Sequence, residues 1–263
     1  MSKEARIKEG DDILIFIDKK RKILTRAERG KLHTHKGYFD LGEVIGKRFG
    51  NRIVSNKGYI AYILKPTLLD YYKKFSRRTQ IMYHKDLSYA IVWLGISSGS
   101  RILEGGTGSG AATAFLANIV KPSGRVVTYD VNKRSLEIAE ENLRRCGLHK
   151  YVTLKLGSIY EPIEEESFDA ALVDVPEPWL TFSTLENSLK DSARIVFFTP
   201  TINQVERIVN KAEDRDILIV DTVEIIERSI RVKEGMTRPE TVMIGHTGYL
   251  TLAVKVKKTN KID

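Results

Sequence analysis

The pattern of apolar and polar positions changes near residue 65. Before that point, short apolar or alternating runs at residues 13–17, 22–25 and 59–64 are separated by turn-forming residues. Runs of this length and period are typical of β-strands joined by tight turns. They predict a small β domain over residues 1–64.

A segment rich in charged and aromatic side chains follows and predicts a linker over residues 65–84. Within it, residues 67–75 have a helical pattern and residues 76–80 are irregular. No internal repeat and no low-complexity segment interrupts the chain.

From residue 85 onward, helical and strand patterns alternate, which predicts an α/β domain over residues 85–263. A helix at 86–94 comes first, and strands follow near 101–104, 125–130, 151–156, 169–173 and 193–198. The alternation predicts a parallel, doubly wound sheet. Two further β-rich runs, at 217–226 and 248–256, have no obvious helix between them and predict an antiparallel hairpin that closes the sheet.

Charge is distributed unevenly between these parts. Residues 1–85 contain 21 Lys and Arg against 9 Asp and Glu, a net charge of +12, whereas residues 86–263 contain 22 against 25, a net charge of −3. A basic module joined to a near-neutral one fits a polyanionic substrate that one part holds and the other modifies. A solvated basic surface without a partner is the alternative.

The composition favours a soluble protein of the reducing cytoplasm. No apolar run approaches the ~18 residues of a membrane span, and residues 1–8 lack the apolar stretch of a signal peptide. A single cysteine, Cys146, excludes an internal disulfide and a cysteine-built zinc site, although a disulfide between subunits stays open. His33 and His35 have no further ligand cluster in the sequence, so we expect no metal site.

A glycine-rich turn is predicted between the strand at 101–104 and a helix at 111–119. An acidic residue is followed by glycine at every second position, in the run Glu104, Gly105, Gly106, Thr107, Gly108, Ser109 and Gly110. Glycine lets the backbone approach a ligand closely. A carboxylate in front of the turn suits the ammonium and sulfonium charges of S-adenosylmethionine (SAM), so the spacing predicts a SAM site.

A dinucleotide-binding turn is the competing interpretation. Gly106, Gly108 and Ala111 loosely satisfy its G-x-G-x-x-G/A pattern, and Asp130 lies about the expected ~20 residues further on. Glu104 weighs against it because a carboxylate there would repel a pyrophosphate. A turn with a purely structural role is the other alternative.

Polar residues lie at or just past the carboxyl ends of four predicted strands, where doubly wound sheets bind their ligands. These residues are Glu104, Asp130, Gly157 with Ser158, and Asp174. At the end of its strand, Asp130 is placed to accept hydrogen bonds from both ribose hydroxyls of a nucleoside. It is otherwise a cap for the next helix, a role that Asn132 can fill by itself.

Asp174 begins the sequence Asp-Val-Pro-Glu-Pro-Trp, in which two prolines fix the backbone. A carboxylate here can bind the exocyclic amine of adenine, take its proton and offset the positive charge that develops when a ring nitrogen is alkylated. The alternative for Asp174 is a strand-end acid or helix cap. Trp179 offers a flat face to a base or packs into the core.

Four blocks of the sequence, in order along most of the chain, together resemble the tRNA (adenine-N1)-methyltransferases that act in the T loop. The blocks are residues 33–37 with 45–46, residues 83–86, residues 174–179 and residues 238–248. The resemblance is greatest to the archaeal form, which acts at position 58 and in some members at 57. It implies a Rossmann-like class I methyltransferase fold with a small N-terminal β domain, a tRNA substrate and assembly as a homotetramer.

By position, the resemblance assigns the catalytic role to Asp174, ribose binding to Asp130 and SAM binding to residues 104–110. Tyr83, Arg228 and Arg238 match residues near the target nucleotide.

Two residues depart from the family pattern. His84 stands where the family usually has proline, and Ser158 stands where it has an aspartate that binds the adenine of SAM. A serine hydroxyl still accepts a hydrogen bond, but without charge.

The sequence therefore predicts SAM-dependent methylation of N1 of adenine in tRNA. N1 is itself the nucleophile, so no covalent intermediate is required, and the adenine would be flipped out of the tRNA fold. A methyltransferase of another substrate class is one alternative, against which the charge distribution argues. A non-catalytic tRNA-binding subunit, as in the family's eukaryotic heterodimers, is another, but such a subunit should lack the SAM turn.

Overall fold

The computed structural model describes residues 6–76 and 81–257, and the chain forms two compact units with the boundary between Phe75 and Ser76. Each unit has its own hydrophobic core. Of the segment expected to be irregular, residues 77–80 lie outside the described residues.

The first unit is built on an antiparallel sheet with the strand order β2-β1-β6-β5. These strands are β1 (Asp12–Asp18), β2 (Arg21–Arg26), β5 (Arg52–Val54) and β6 (Ile60–Leu64). A separate hairpin of β3 (Lys31–Thr34) and β4 (Gly37–Asp40) leads into a 3₁₀ helix at Leu41–Val44. Alternate residues of the sheet strands enter a core that includes Ile13, Ile15, Ile53, Ala61 and Ile63.

Residues 65–75, expected to be part of a linker, belong to the first unit. They contain α1 (Leu68–Tyr72), whose N-terminus is closed by reciprocal hydrogen bonds between Thr67 and Asp70. The Tyr71 hydroxyl donates to Asp12 of β1 at 2.8 Å. This contact ties α1 to the sheet. The helix is shorter than the predicted span of residues 67–75.

The second unit alternates strands and helices. Its helices are α2 (His84–Leu94), α3 (Ala111–Val120), α4 (Lys133–Arg145), α5 (Phe182–Ser188) and α6 (Ile202–Ala212), with 3₁₀ turns at His149–Tyr151 and Pro178–Thr181. Its strands are β7 (Arg101–Gly105), β8 (Arg125–Asp130), β9 (Val152–Leu156), β10 (Phe168–Val173), β11 (Leu189–Thr199), β12 (Ile217–Glu224), β13 (Ile230–Arg231), β14 (Arg238–Pro239) and β15 (Tyr249–Lys255).

Seven of these strands form one sheet with the order β12-β15-β11-β10-β7-β8-β9. The five strands from β7 to β11 run parallel to one another. Strands β7, β8, β10 and the second half of β11 are buried on both faces, which explains their nearly continuous apolar runs, whereas β9 is only partly buried. The strand order changes direction between β7 and β10, so this is the switch point where such sheets bind ligands. The prediction of a Rossmann-like α/β sheet is confirmed.

The two C-terminal β-rich runs pair with each other in an antiparallel manner, as β12 and β15. Strand β15 also pairs antiparallel with β11 and therefore lies inside the sheet, leaving β12 at the edge. A long connection that contains the short β13–β14 hairpin joins them.

A buried polar cluster fastens the start of α2 to this C-terminal region. Lys85, whose side chain is 8% exposed, donates to Asp86 at 2.7 Å, to the carbonyl of Ile225 at 2.6 Å and to the hydroxyl of Thr247 at 2.6 Å. Thr247 in turn donates to the other oxygen of Asp86 at 2.7 Å. A buried ion pair needs such additional hydrogen bonds to offset desolvation, so the cluster fixes where these segments meet.

In the described part of the chain, no helix has the length and apolar character needed to cross a membrane.

Candidate active site

The centre of the site is a backbone contact at the switch point. The amide of Asp174, just after β10, donates to the carbonyl of Gly105 at the end of β7, at 2.8 Å. A Cβ atom placed on Gly106 would lie 2.0 Å from the carbonyl oxygen of Asp174. Gly106 also has a φ of +92°, a conformation that favours glycine. The absent side chain therefore lets the two strand ends touch.

The turn from β7 to α3 is also tied to β8. The amides of Gly106 and Thr107 both donate to the carbonyl of Tyr129, at 2.9 and 3.3 Å. Gly110 ends the turn in the left-handed region, and a Cβ there would crowd Ala139 of α4 at 3.0 Å. The turn is thus a rigid connection between three strands and two helices.

Asp130, at the end of β8, is oriented by the same turn. One oxygen of its carboxylate accepts from the amide of Gly108 at 2.9 Å, and the other accepts from the amide of Asn132 at 2.8 Å. The side chain of Asn132 caps α4 by accepting from Arg134 and Ser135. Asp130 is therefore not the helix cap, and its carboxylate is held at the mouth of the turn.

Gly157 and Ser158 follow β9 and lie beside this carboxylate. The amide of Gly157 donates to the carbonyl of Asp130 at 3.1 Å. The Ser158 hydroxyl accepts from the amide of Tyr160 at 3.1 Å, which fixes its orientation.

A cavity of about 650 Å³ opens at these strand ends. Of the residues that the sequence predicts for the site, it is lined by Gly106, Thr107, Gly108, Ser109, Asp130, Gly157, Ser158 and Asp174. Its other walls include Ala111, Val175 and Pro176 from the sequence motifs, and residues outside any motif, namely Ile81, Met82, Ala112, Tyr129, Val131, Asn132, Ser135, Ile159, Tyr160, Pro200 and Gln204. The volume lies within the usual range for small-molecule sites.

Glu104 lies in β7 behind the cavity wall and is 1% exposed. One oxygen of its carboxylate accepts from Thr113 at 2.6 Å, whereas the other is buried and has no hydrogen-bond partner among the described residues. Burial raises the pKa of Glu104 to about 7, the nearby hydroxyls of Thr113 and Thr128 oppose the shift, and the charges of Asp174 and Asp130 add to it. A cation nearby would relieve this unsatisfied charge.

Asp174 is partly exposed to the cavity. Burial by the surrounding protein raises the pKa of its carboxyl to about 7, well above the usual value for aspartate. An acid with such a pKa can exchange a proton near neutral pH, as a general base must. The site thus contains two carboxyl groups whose ionised forms a nearby positive charge would stabilise.

Two side chains that sequence reasoning missed hold the segment after Asp174. The hydroxyl of Tyr160 accepts from the amide of Glu177 at 3.0 Å, and the side-chain amide of Gln204 donates to the carbonyl of Pro176 at 2.9 Å. Gln204 is itself fixed by Thr201 in a capping box at the start of α6. Both side chains also line the cavity. Neither belongs to a motif, so only the three-dimensional contacts identify them.

The four residues expected to contact the substrate do not line this cavity. Tyr83 is the N-cap residue of α2. Trp179 packs against the hydrophobic core, with the guanidinium of Arg207 5.2 Å from its ring centre. Arg228 and Arg238 are exposed in the connection between β12 and β15. Trp179 is only partly buried by this packing, so its contact with a base stays a prediction.

His246, in the last sequence block, is a turn residue with both ring nitrogens engaged. It contacts Glu224 at 2.6 Å and the carbonyl of Pro200 at 2.8 Å. Both contacts raise its pKa, Glu224 most. His246 thus connects the C-terminal segment to Pro200 at the cavity wall.

The residues present fit SAM. The partnerless oxygen of Glu104 and the raised pKa of Asp174 favour a cationic ligand, and Asp130 presents oriented acceptors for a diol. Across residues 6–76 and 81–257, no group of His, Cys, Asp or Glu side chains is placed to hold a metal ion.

Comparison with known proteins places these features in a family. Residues 58–237, more than half of the chain, match the family described as the tRNA methyltransferase complex GCD14 subunit. The tRNA (adenine(57)-N(1)/adenine(58)-N(1))-methyltransferase TrmI of Methanocaldococcus jannaschii is 32% identical over 91% of this chain and 93% of its own length.

Two solved structures are similar over nearly the whole chain. The tRNA (m1A58) methyltransferase TrmI of Aquifex aeolicus has a TM-score of 0.84 and 32% identity, covering 97% of this chain and 100% of the other. A SAM-dependent O-methyltransferase of Thermotoga maritima has a TM-score of 0.90 and 35% identity, covering 97% and 96%. The descriptions of these two structures thus name different methyl acceptors, adenine 58 of tRNA in one and an oxygen atom in the other.

The anchor at Tyr160 leads to a prediction about the segment after Asp174. Tyr160→Phe removes the acceptor of the Glu177 amide, and a hydrogen bond of this kind contributes about 1 kcal/mol. Amide exchange at Glu177 should therefore become about fivefold faster, as measured by hydrogen exchange with NMR detection.

Tyr151→Phe is the matched control, because Tyr151 directly precedes β9, at the opposite end of the strand from Tyr160. It should leave exchange at Glu177 unchanged. Equal exchange in Tyr160→Phe and the parent protein would show that the hydroxyl does not anchor the segment.

Proposed function

Because this chain belongs to the GCD14 family of tRNA (adenine-N1)-methyltransferases, we propose that it transfers the methyl group of SAM to N1 of adenine in the T loop of tRNA. Position 58 is the proposed target, with position 57 as a second one, because the relative from M. jannaschii is described by both positions. The observation that carries the proposal is Asp174, a carboxyl of raised pKa fixed beside the glycine turn at the switch point.

SAM would supply an electrophilic methyl group on a positively charged sulfur. The turn from Gly106 to Gly110 and the first amides of α3 would contact its amino-acid part, since the first amides of a helix have no partner within the helix. Glu104, directly beneath the turn, would contribute negative charge. Asp130 would accept from the ribose hydroxyls, and Ser158 would face the adenine with a neutral acceptor.

Asp174 would act on the target base. Its carboxylate would accept a hydrogen bond from the exocyclic amine of adenine and hold it while N1, the nucleophile, attacks in line. Alkylation of N1 places positive charge on the ring, and the carboxylate stabilises that charge or takes the proton from the amine. Tyr160 and Gln204 would keep Asp174 in position through the segment they anchor.

The tRNA substrate is supported by charge as well as by the relatives. The net charge of +12 over residues 1–85 is what a phosphate backbone would require, whereas the remaining residues are close to neutral. We propose that the N-terminal β domain binds tRNA while the second unit carries out the chemistry. Tyr83, Arg228 and Arg238 are proposed contacts of the RNA outside the cavity.

One similar structure is described as an O-methyltransferase, so an oxygen atom is the second candidate for the methyl acceptor. An oxygen acceptor such as a hydroxyl would use the same cavity and SAM, but N1 of adenine fits better. The exocyclic amine beside N1 gives Asp174 a hydrogen-bond donor. A small substrate would also leave the positive charge of residues 1–85 without a binding partner.

We propose that the protein assembles as a homotetramer. The connection between β12 and β15 exposes large apolar side chains, including Val232 at 67% and Val242 at 87% exposure, and exposed apolar patches mark interaction surfaces. Light scattering on the purified protein should give four times the chain mass of 29.9 kDa. A monomer mass would contradict the assembly.

The function is tested by the product. An unmodified tRNA transcript is incubated with the protein and methyl-labelled SAM, and the digested nucleosides are separated by mass spectrometry. We expect 1-methyladenosine, which should disappear when positions 57 and 58 of the transcript are both changed to guanosine. Label found only on a ribose oxygen, on N6 or on cytosine would overturn the proposal.

Paired variants test the division of roles in the same assay. Asp174→Asn removes the base and should lower turnover by about 10² or more, while SAM affinity stays within a few-fold. Asp130→Asn should mainly weaken SAM binding, by about tenfold, because a charged acceptor for the ribose is lost.

Asp169→Asn, at the opposite end of β10, is the control for substituting an acid on this strand. It should change neither turnover nor SAM affinity. If calorimetry found that Asp174→Asn loses SAM as severely as Asp130→Asn, Asp174 would belong to the SAM site and not to the target base.

A further inference from the structure

The sheet of the first unit has one face in the core and one face away from it. Side chains alternate along each strand, so Ile15, Ile53 and Ile63 point into the core while their neighbours in sequence point to the other face. On that outer face, the composition is neither uniformly polar nor uniformly apolar. It places aromatic rings and cations side by side.

Four residues on the outer face lie directly opposite one another across all four strands. Phe16 of β1 pairs with Lys22 of β2 on one side and with Tyr62 of β6 on the other. Tyr62 pairs in turn with Arg52 of β5. Residues in such register lie on the same face and their side chains are adjacent. We call Lys22, Phe16, Tyr62 and Arg52 the cross-sheet row.

Most of the row is accessible. Tyr62 is 49% exposed, Phe16 is half-buried, and both cations at the ends of the row are exposed. The ammonium of Lys22 lies 5.4 Å from the centre of the Phe16 ring, so the cation already rests on the aromatic surface. Beside Tyr62 and Arg52, the paired residues Val54 and Ile60 add exposed apolar surface on the same face.

A second cation–aromatic contact lies in the loops of the same unit. The ammonium of Lys36 is 4.3 Å from the ring centre of Tyr59, which is 44% exposed. Tyr59 directly precedes β6, which carries Tyr62. Exposed aromatic rings interleaved with cations therefore extend from the row toward this loop.

We infer that the cross-sheet row is an RNA-binding surface, on which an unpaired base of the tRNA stacks against Phe16 and Tyr62 while Lys22 and Arg52 contact the flanking phosphates. This inference rests on the proposed tRNA substrate and names the surface that holds it. Aromatic rings that stack bases, flanked by cations that bind the backbone, are the two elements of single-stranded nucleic-acid recognition. With neighbouring strands about 4.8 Å apart, the backbone positions of Lys22 and Arg52 lie about 14 Å apart, with those of both aromatic residues between them.

Charge complementarity favours RNA over a second copy of this chain. A second copy would bring its own first unit, in which residues 1–75 contain 18 Lys and Arg against 9 Asp and Glu, a net charge of +9, toward the same cations. The cross-sheet row has a cation at each end, and the excess positive charge of the chain lies in the first unit. A polyanion is the partner that both observations favour.

The experiment separates stacking from phosphate binding. The double variant Phe16→Leu/Tyr62→Leu keeps apolar bulk but removes the rings, and Lys22→Gln/Arg52→Gln removes the charges. Binding of a labelled tRNA transcript and of heparin, a polyanion without bases, is measured by fluorescence polarisation at several salt concentrations. The single variant Tyr62→Leu, and thermal unfolding of every variant, guard against a folding defect.

The ring variant should bind tRNA about tenfold or more weakly, with heparin affinity and salt dependence unchanged, since stacking contributes without charge. The charge variant should bind both more weakly and lower the slope of log affinity against log salt by about 1.4 to 1.8. Lys150→Gln/Tyr151→Leu is the matched control, because it removes a cation–aromatic contact from the second unit. It should behave as the parent protein does.

Parent-like tRNA binding by the ring variant would overturn the inference. An equal loss of affinity for tRNA and for heparin in the ring variant would also overturn it. A change in molar mass by light scattering with tRNA affinity intact would assign the face to contact with a second copy. These outcomes are independent of the product assay. If the parent protein forms no 1-methyladenosine, the proposed function fails, whereas parent-like row variants of an active enzyme refute only the role of the row.

Discussion

The close approach of two strand ends is the constraint on which the rest of the site depends. Only because residue 106 has no side chain can the turn after β7 lie against the carbonyl of Asp174. That contact brings the first residue after β10 to the wall of the cavity that the turn creates. It also places three acids, Glu104, Asp130 and Asp174, at the carboxyl ends of neighbouring strands, where burial raises the pKa of Glu104 and of Asp174 and the charges of the other two acids add to the shift of Glu104. Geometry and electrostatics thus have the same origin.

Such a concentration of acids costs stability unless positive charge is present. Burial holds the pKa of both Glu104 and Asp174 near 7, so below that pH each is mainly neutral in the free protein. A cationic ligand stabilises the ionised forms and lowers both pKa values. The same carboxylate at Asp174 is then ready to accept a hydrogen bond or a proton from an amine. The cofactor, in this account, prepares the base for the substrate.

Local patterns in the sequence were sufficient to predict the sheet, its strand ends and the turn of Gly106, because these depend on residues close together in the chain. Contacts between distant residues were not predictable in this way. Tyr71 meets Asp12, Lys85 meets Thr247, and Gln204 anchors Pro176, and no spacing signals any of these contacts. For Trp179, which is partly buried against the core, contact with a base stays a prediction. Glu104 was predicted as part of the site, but only the fold shows that it lies behind the wall.

The most direct test of this account is proton release when SAM binds, measured by calorimetry at pH 6.5 in two buffers of different ionisation enthalpy. Because a cation lowers the pKa of carboxyls that are mainly protonated at this pH, the account predicts release of a substantial fraction of a proton per site. Glu104→Gln and Asp174→Asn should each reduce that release. Binding heats that are the same in both buffers would show that no carboxyl loses its proton, and would contradict the claim that these acids await a positive charge.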